Sequence, residues 1–225
     1  MYVTPDYIPH RELEKDVKGY LESRDYLIHE ATYHAIGTSE VRDILQTRFT
    51  PTALYLRGRA DRVAICRVLP LEFEFECKTH DSRKYNDMTL EMLPLIHHIS
   101  KSRLGVNCLY AYRNPFKEDN NNYGFWISEL PQIRQVWIPP LERNDLPWFK
   151  SLASTWFPGV EQVIKNVGGT GDPYVIIDKS VVNKLSDWKD LIIQMELQWQ
   201  PSQLSLLQND KNKGDPNGHR YPNHP

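Results

Sequence analysis

From Leu71 to Lys78 the chain alternates without a break: Leu71, Phe73, Phe75 and Cys77 take one parity, and Glu72, Glu74, Glu76 and Lys78 take the other. A period of two marks an extended strand, because successive side chains point to opposite faces of a sheet. The segment must therefore pair with other strands, turn its apolar parity into a core, and present Glu76 and Lys78 on one face. Upstream, residues 53–66 (ALYLRGRADRVAIC) are rich in apolar and β-branched side chains and read as a second strand, separated from the first by the turn at Leu69-Pro70. If the two strands are neighbours, Asp61 approaches Glu76. Two carboxylates close together in a partly dehydrated pocket repel each other unless a cation joins them, and oxygen ligands of this kind suit Mg²⁺, with Mn²⁺ as a substitute. A nearby lysine can orient or deprotonate a water, or steady negative charge developing on a phosphate.

Asp61 followed by Glu76-Cys77-Lys78 resembles the core pattern of the PD-(D/E)XK nuclease superfamily: an acid, a gap, then Glu or Asp, any residue, and Lys. Ala60 stands where the family's name has proline. The resemblance implies that Asp61 and Glu76 hold the metal, that the backbone carbonyl of Cys77 is a further ligand, and that Lys78 assists the attacking water. It also implies a glutamate from the first helix, for which Glu14 is the candidate, bordering the stripe Leu13, Val17, Tyr20 and Leu21. The expected fold is α/β, a mixed central sheet flanked by helices in a restriction-endonuclease-like core with a C-terminal extension. The order of segments agrees: a helix over 10–23, a strand over 26–34, the two motif strands, a helix over 88–102, and strands over 105–113 and 122–130. The implied activity is a Mg²⁺-dependent endonuclease acting on DNA, with restriction, recombination, repair and phage or anti-phage roles all compatible. An RNA endonuclease, using His10 or His34, and an inactive nuclease-fold module that binds nucleic acid or protein are the alternatives.

Acid-x-Lys is short enough to arise by chance about twice in a chain of this composition. Asp16-Val17-Lys18 and Asp187-Trp188-Lys189 also fit it, but both lie in helical periodicity, where residues two apart diverge by about 200°. The rival reading of the motif is a solvated strand face, since alternating charge is also how edge strands resist aggregation. Glu74 is a reserve ligand, and His80 has the parity to touch a phosphate. His97 and His98 diverge by about 100° on a helix and read as structural. The formal net charge of −2 does not advertise a nucleic-acid binder, but the local field counts. Arg59, Arg62 and Lys84 are the candidate phosphate contacts, with Arg57, Arg67, Arg83, Lys101 and Arg103 nearby.

With 225 residues, 40% of them hydrophobic, the chain can build one substantial core. The expected organisation is a nuclease-like core over 1–130, an extension over 131–207 packed on it, and a disordered tail over 208–225. In the extension, prolines punctuate short aromatic segments; residues 173–182 read as a strand, and 186–199 as a helix capped by Ser186. The three cysteines, Cys66, Cys77 and Cys108, have no metal-binding spacing and read as buried thiols in a reducing compartment. No signal peptide or bilayer-length apolar run is evident, so the expectation is a soluble intracellular protein with no membrane partner, in the host cytoplasm if viral. Cutting both strands of a duplex calls for two active sites, which makes a homodimer plausible.

Overall fold

In the computed structural model, residues 7–30, 59–79, 87–114, 122–140, 146–167 and 172–199 are described. The chain divides into two compact units, Met1–Leu191 and Ile192–Pro225. Both sheets belong to the first unit; the second adds the remainder of one helix to the described residues.

The first sheet contains β1 (Tyr26–Glu30), β2 (Arg62–Cys66), β3 (Glu72–Thr79), β5 (Cys108–Arg113) and β6 (Asn122–Trp126) in that spatial order. It is mixed: β3 and β5 run parallel and the other neighbours antiparallel. The parallel pair requires a crossover, which is supplied by β4 (Met88–Glu91) and α2 (Met92–Ser102). Gly105, at φ +90°, turns the chain out of α2 towards β5. The second sheet has the order β4, β9 (Tyr174–Ile177), β7 (Ile133–Ile138) and β8 (Glu161–Ile164). Its β7 and β8 are parallel and are joined through α3 (Leu146–Trp156). The fold is thus α/β with two mixed sheets flanked by helices.

Register assigns each face. Arg62, Phe75 and Leu109 lie side by side on one face of the first sheet, with Ala64 and Phe73 on the same parity. Helix α1 (Tyr7–Glu22) packs there, burying Leu13, Val17 and Leu21 completely. Each such side chain contributes about 1.5–3 kcal/mol. The other face carries Tyr110 and Phe125, stacked at 5.1 Å, and shares a core with α2, α3 and the inner parity of the second sheet.

Four sequence expectations need correction. The helix expected over 88–102 begins at Met92: residues 88–91 form a strand because they pair with Tyr174–Ile177, and Pro94 falls in the first helical turn. The strand expected over 173–182 stops at Ile177, where Asp178 caps the short helix α4 (Lys179–Val182) by accepting from Ser180 N–H. Helix α5 (Trp188–Trp199) is capped by Asp187, not Ser186: Asp187 Oδ1 accepts from Lys189 N–H at 2.8 Å, while the Ser186 carbonyl accepts from Gly124 N–H. The solvated-face reading of β3 fails, since β3 is central and Glu74 and Glu76 are only 9% and 6% exposed. The expected disordered tail and residues 31–34 and 53–58 of the expected strands lie outside the described residues.

Gly124 is where Trp188 crosses β6. A Cβ there would stand 2.7 Å from Trp188 Cβ, 3.0 Å from its Cα and 3.1 Å from the Tyr110 carbonyl oxygen. Two of these three are backbone atoms that cannot swing aside. Gly124→Ala should therefore destabilise by about 1–3 kcal/mol, read as a lower urea midpoint. An unchanged midpoint would refute this close approach.

Candidate active site

Asp61 immediately precedes β2, and carrying the β2–β3 register one step further sets it opposite Glu76. Glu76 in turn stands opposite Tyr110, and Tyr110 opposite Phe125. The strand alternation seen in sequence thus delivers both acids to one face, beneath α2. Each acid then holds the other's strand. Asp61 N–H donates to Glu76 Oε2 at 3.1 Å, and Cys77 N–H donates to Asp61 Oδ2 at 2.8 Å. Lys78 shares the parity of Glu76 and places its Nζ 2.7 Å from Glu76 Oε1; its side chain is 26% exposed, that of Glu76 8%.

The charges are unequal in consequence. Burial and the neighbouring Glu76 charge push the Asp61 carboxyl well above its ordinary value, against the opposing pull of Lys78 and the Cys77 N–H. Burial acts on Glu76 in the same sense and is the largest single influence, but the Lys78 ammonium, His98 and the Asp61 N–H together outweigh it and hold that carboxyl low. Burial would lower Lys78, yet Glu76, Glu91 and Asp61 together raise it, so it stays an ammonium. With Asp61 holding its proton, Lys78 balances Glu76; a divalent cation would displace that proton and be shared by both carboxylates. In an extended strand the N–H and C=O of one residue point to the same side. Since Cys77 N–H faces Asp61, its carbonyl faces that way too. Two carboxylates and a carbonyl fit a hard oxygen-seeking ion such as Mg²⁺, which completes its shell with waters or phosphate oxygens. Among the described residues no group of three or more His, Cys, Asp or Glu side chains is gathered to hold a metal ion, so the side chains on offer are the two acids.

The other sequence candidates are distributed differently. Glu14 lies with Arg62 on the α1 side: Arg62 Nε donates to Glu14 Oε1 at 2.7 Å and Nη1 stands 2.6 Å from Glu30 Oε1. Arg62 is therefore occupied by two carboxylates, and Glu14 by a guanidinium. Glu74 is paired with Lys101, and Arg103 lies over the Trp156 ring at 4.9 Å. Arg59 is half-buried just before Asp61. Lys84, Arg57, Arg83, His80 and His34 lie outside the described residues. Burial and the Lys78 ammonium lower the His10 imidazole, with Glu14 and Glu76 opposing, so the start of α1 lies within reach of the site's field. Cys66, Cys77 and Cys108 are buried and free.

No protein-family model matches the sequence, and no curated protein matches it either. Among solved structures the chain is similar to Hjc of Archaeoglobus fulgidus, a Holliday junction resolvase from an archaeal hyperthermophile. The TM-score is 0.40 at 10% identity, covering 81% of this chain and 94% of that one. No described helix is long and apolar enough to cross a membrane.

His98 is a residue whose place the sequence did not reveal. Its Nδ1 lies 2.6 Å from Tyr110 Oη, the imidazole is fully buried, and Nε2 has no hydrogen-bond partner. Adjacent histidines on a helix give no sign of which one turns inward; pairing with a tyrosine of β5 decides it. Burial pushes His98 down to about 4, against Glu76 and with help from His97, Lys101 and Lys78. Those groups and Tyr110 are its charged and polar surroundings on α2, β3 and β5. Because the folded value lies below the ordinary 6.5, the unfolded chain takes up the proton first as pH falls. This contribution to stability is complete above pH 6.5 and disappears between 6.5 and about 4, a change of about 3 kcal/mol. His98→Gln, which keeps a partner for Tyr110 but cannot titrate, should flatten the unfolding free energy across that window. An unaltered pH slope would place its origin elsewhere.

Proposed function

We propose that this chain is a metal-dependent nuclease that hydrolyses phosphodiester bonds, that its substrate is DNA cut internally, and that its cofactor is Mg²⁺. The observation that carries this reading is the reciprocal clamp, in which Asp61 and Glu76 each accept a backbone N–H from the other's strand while Lys78 sits on Glu76. Such an arrangement fixes two acids at close quarters before any ligand arrives, which is what a preorganised charge-stabilising site needs. Asp61, Glu76 and the Cys77 carbonyl would hold the metal, which when bound stabilises phosphate charge and makes its water acidic. Lys78, kept as an ammonium, orients the attacking water and steadies the charge gathering on the scissile phosphate. Arg59 is the remaining described candidate for a phosphate contact. Glu14, through Arg62, fixes α1 against the face of the sheet opposite the two acids. A homodimer would supply the second site needed to cut both strands of a duplex.

An RNA substrate is the second reading, favoured by one observation: His10 lies in the field of Lys78 and Glu76, where an imidazole could meet a ribose hydroxyl or a leaving oxygen. Labelled duplex, branched and single-stranded DNA and RNA, each incubated with Mg²⁺, Mn²⁺ or EDTA, separate the two. Cutting of DNA that stops in EDTA is expected. Cutting of RNA alone would transfer the assignment, and no cutting of anything, with no metal-induced thermal shift, would leave a nuclease-fold binding module.

A further inference from the structure

The outer face of the second sheet carries a row of residues headed by Glu91, the last residue of β4 and the one that leads directly into α2, the helix over the Asp61 and Glu76 face. Register sets Glu91 of β4 opposite Tyr174 of β9, Tyr174 opposite Trp137 of β7, and Trp137 opposite Val163 of β8. Residues directly opposed share a face. The neighbouring parity, Leu90, Val175 and Val136, is buried in the core, so the Tyr174 and Trp137 rings lie on the opposite, half-buried side. Glu91 heads the row, and its charge acts on the Lys78 ammonium. The row therefore leads away from the metal-ligand pocket.

Trp137 is held in place along this face. Its indole N–H donates to Gln135 Oε1 at 3.2 Å, and Gln135 Nε2 donates to Glu161 Oε2 at 2.5 Å, a chain that ties the ring to β8. Lys165, just past the end of β8, puts its Nζ 3.3 Å from the centre of the Trp137 ring. Hydrolysis at Asp61, Glu76 and Lys78 uses none of these groups. An oriented, half-exposed indole with an ammonium on its face is the equipment that sequence-tolerant single-strand binders use: a π-surface for a base and a mobile cation for the adjoining phosphate.

We propose that Trp137, Tyr174 and Lys165 form a stacking platform for unpaired bases of a nucleic-acid strand whose backbone passes through the Asp61, Glu76 and Lys78 site. The inference rests on the nuclease reading and names its substrate class: strands with an unpaired segment beside the cut. A fully paired duplex offers no open base face to the platform. When a base takes the indole, Lys165 moves from the ring to the phosphate, so one cation serves both states.

The test is fluorescence anisotropy of a labelled oligothymidylate and of a blunt hairpin duplex, with the full-length chain in EDTA so that nothing is cut. Trp137→Leu keeps apolar bulk but removes the π-face. It should weaken oligothymidylate binding by about 5- to 100-fold, with duplex binding kept within about twofold and Trp137→Phe restoring most of the loss. Lys165→Ala should lower the slope of log affinity against log salt by about one. If Trp137→Leu binds the oligonucleotide as well as wild type does, or wild type does not bind it, the platform is overturned. Cleavage of duplex by wild type with Mg²⁺ would leave the nuclease reading standing in that event. Conversely, loss of oligonucleotide binding in Trp137→Leu with no cleavage under any metal would support the platform while removing the nuclease.

Discussion

Glu76→Ala should abolish metal-dependent cleavage, with a fall in rate on the order of 10³-fold or more. The carboxylate has three tasks in the structure, and alanine removes all of them. It is one of two acids facing a shared pocket, it accepts the Asp61 N–H, and it anchors the Lys78 ammonium. The fold should survive, because Asp61 keeps its bond from Cys77 N–H and loses a repelling neighbour. Metal binding supplies an independent readout. At a concentration a hundred times the dissociation constant, Mg²⁺ or Mn²⁺ should stabilise the wild type by about 2.7 kcal/mol. Glu76→Ala should show no such gain, and Glu76→Gln, which still accepts the Asp61 N–H, isolates the loss of charge from the loss of position. A folded Glu76→Ala that cuts at the wild-type rate would remove the site assignment altogether.

The largest loss of stability is expected from Phe75→Ala, about 3–5 kcal/mol. Phe75 is fully buried on β3, flanked by Arg62 and Leu109 in register, on the face that α1 covers. Its neighbours in the strand are Glu74 and Glu76, both buried on the opposite face. A cavity here therefore opens beneath the motif strand in the middle of the sheet, with rigid neighbours that collapse only partly. Leu27→Ala on the edge strand β1, where the side chain is 38% exposed, is the control and should cost far less. Equal midpoints for the two variants in a denaturant titration would contradict the central placement of β3.

The part of the chain that could be read in advance is the part governed by local periodicity. Residues 71–78 have only one good arrangement, and the structure places Phe73, Phe75 and Cys77 on the α1 side, with Glu74, Glu76 and Lys78 on the other. Residues 88–91 misled because Met-Thr-Leu-Glu-Met-Leu satisfies a period of two and a period near 3.6 alike; pairing with residues 174–177, far along the chain, breaks the tie. The second sheet is not legible in the sequence for a different reason: β7 and β8 are short and pair only after α3 has brought them together. Glu14 has the spacing of a residue that borders the buried stripe, but spacing does not show that Arg62 is waiting for it across 48 positions of sequence.

The reciprocal bonds between Asp61 and Glu76 also bear on how the protein acquires its shape. A slip of one position between β2 and β3 would turn one strand's acid to the opposite face and break both bonds at once. The groups assigned to chemistry therefore proofread strand alignment. On the proposed reading, competence to bind metal would report on correct folding, and a chain paired out of step would be inert.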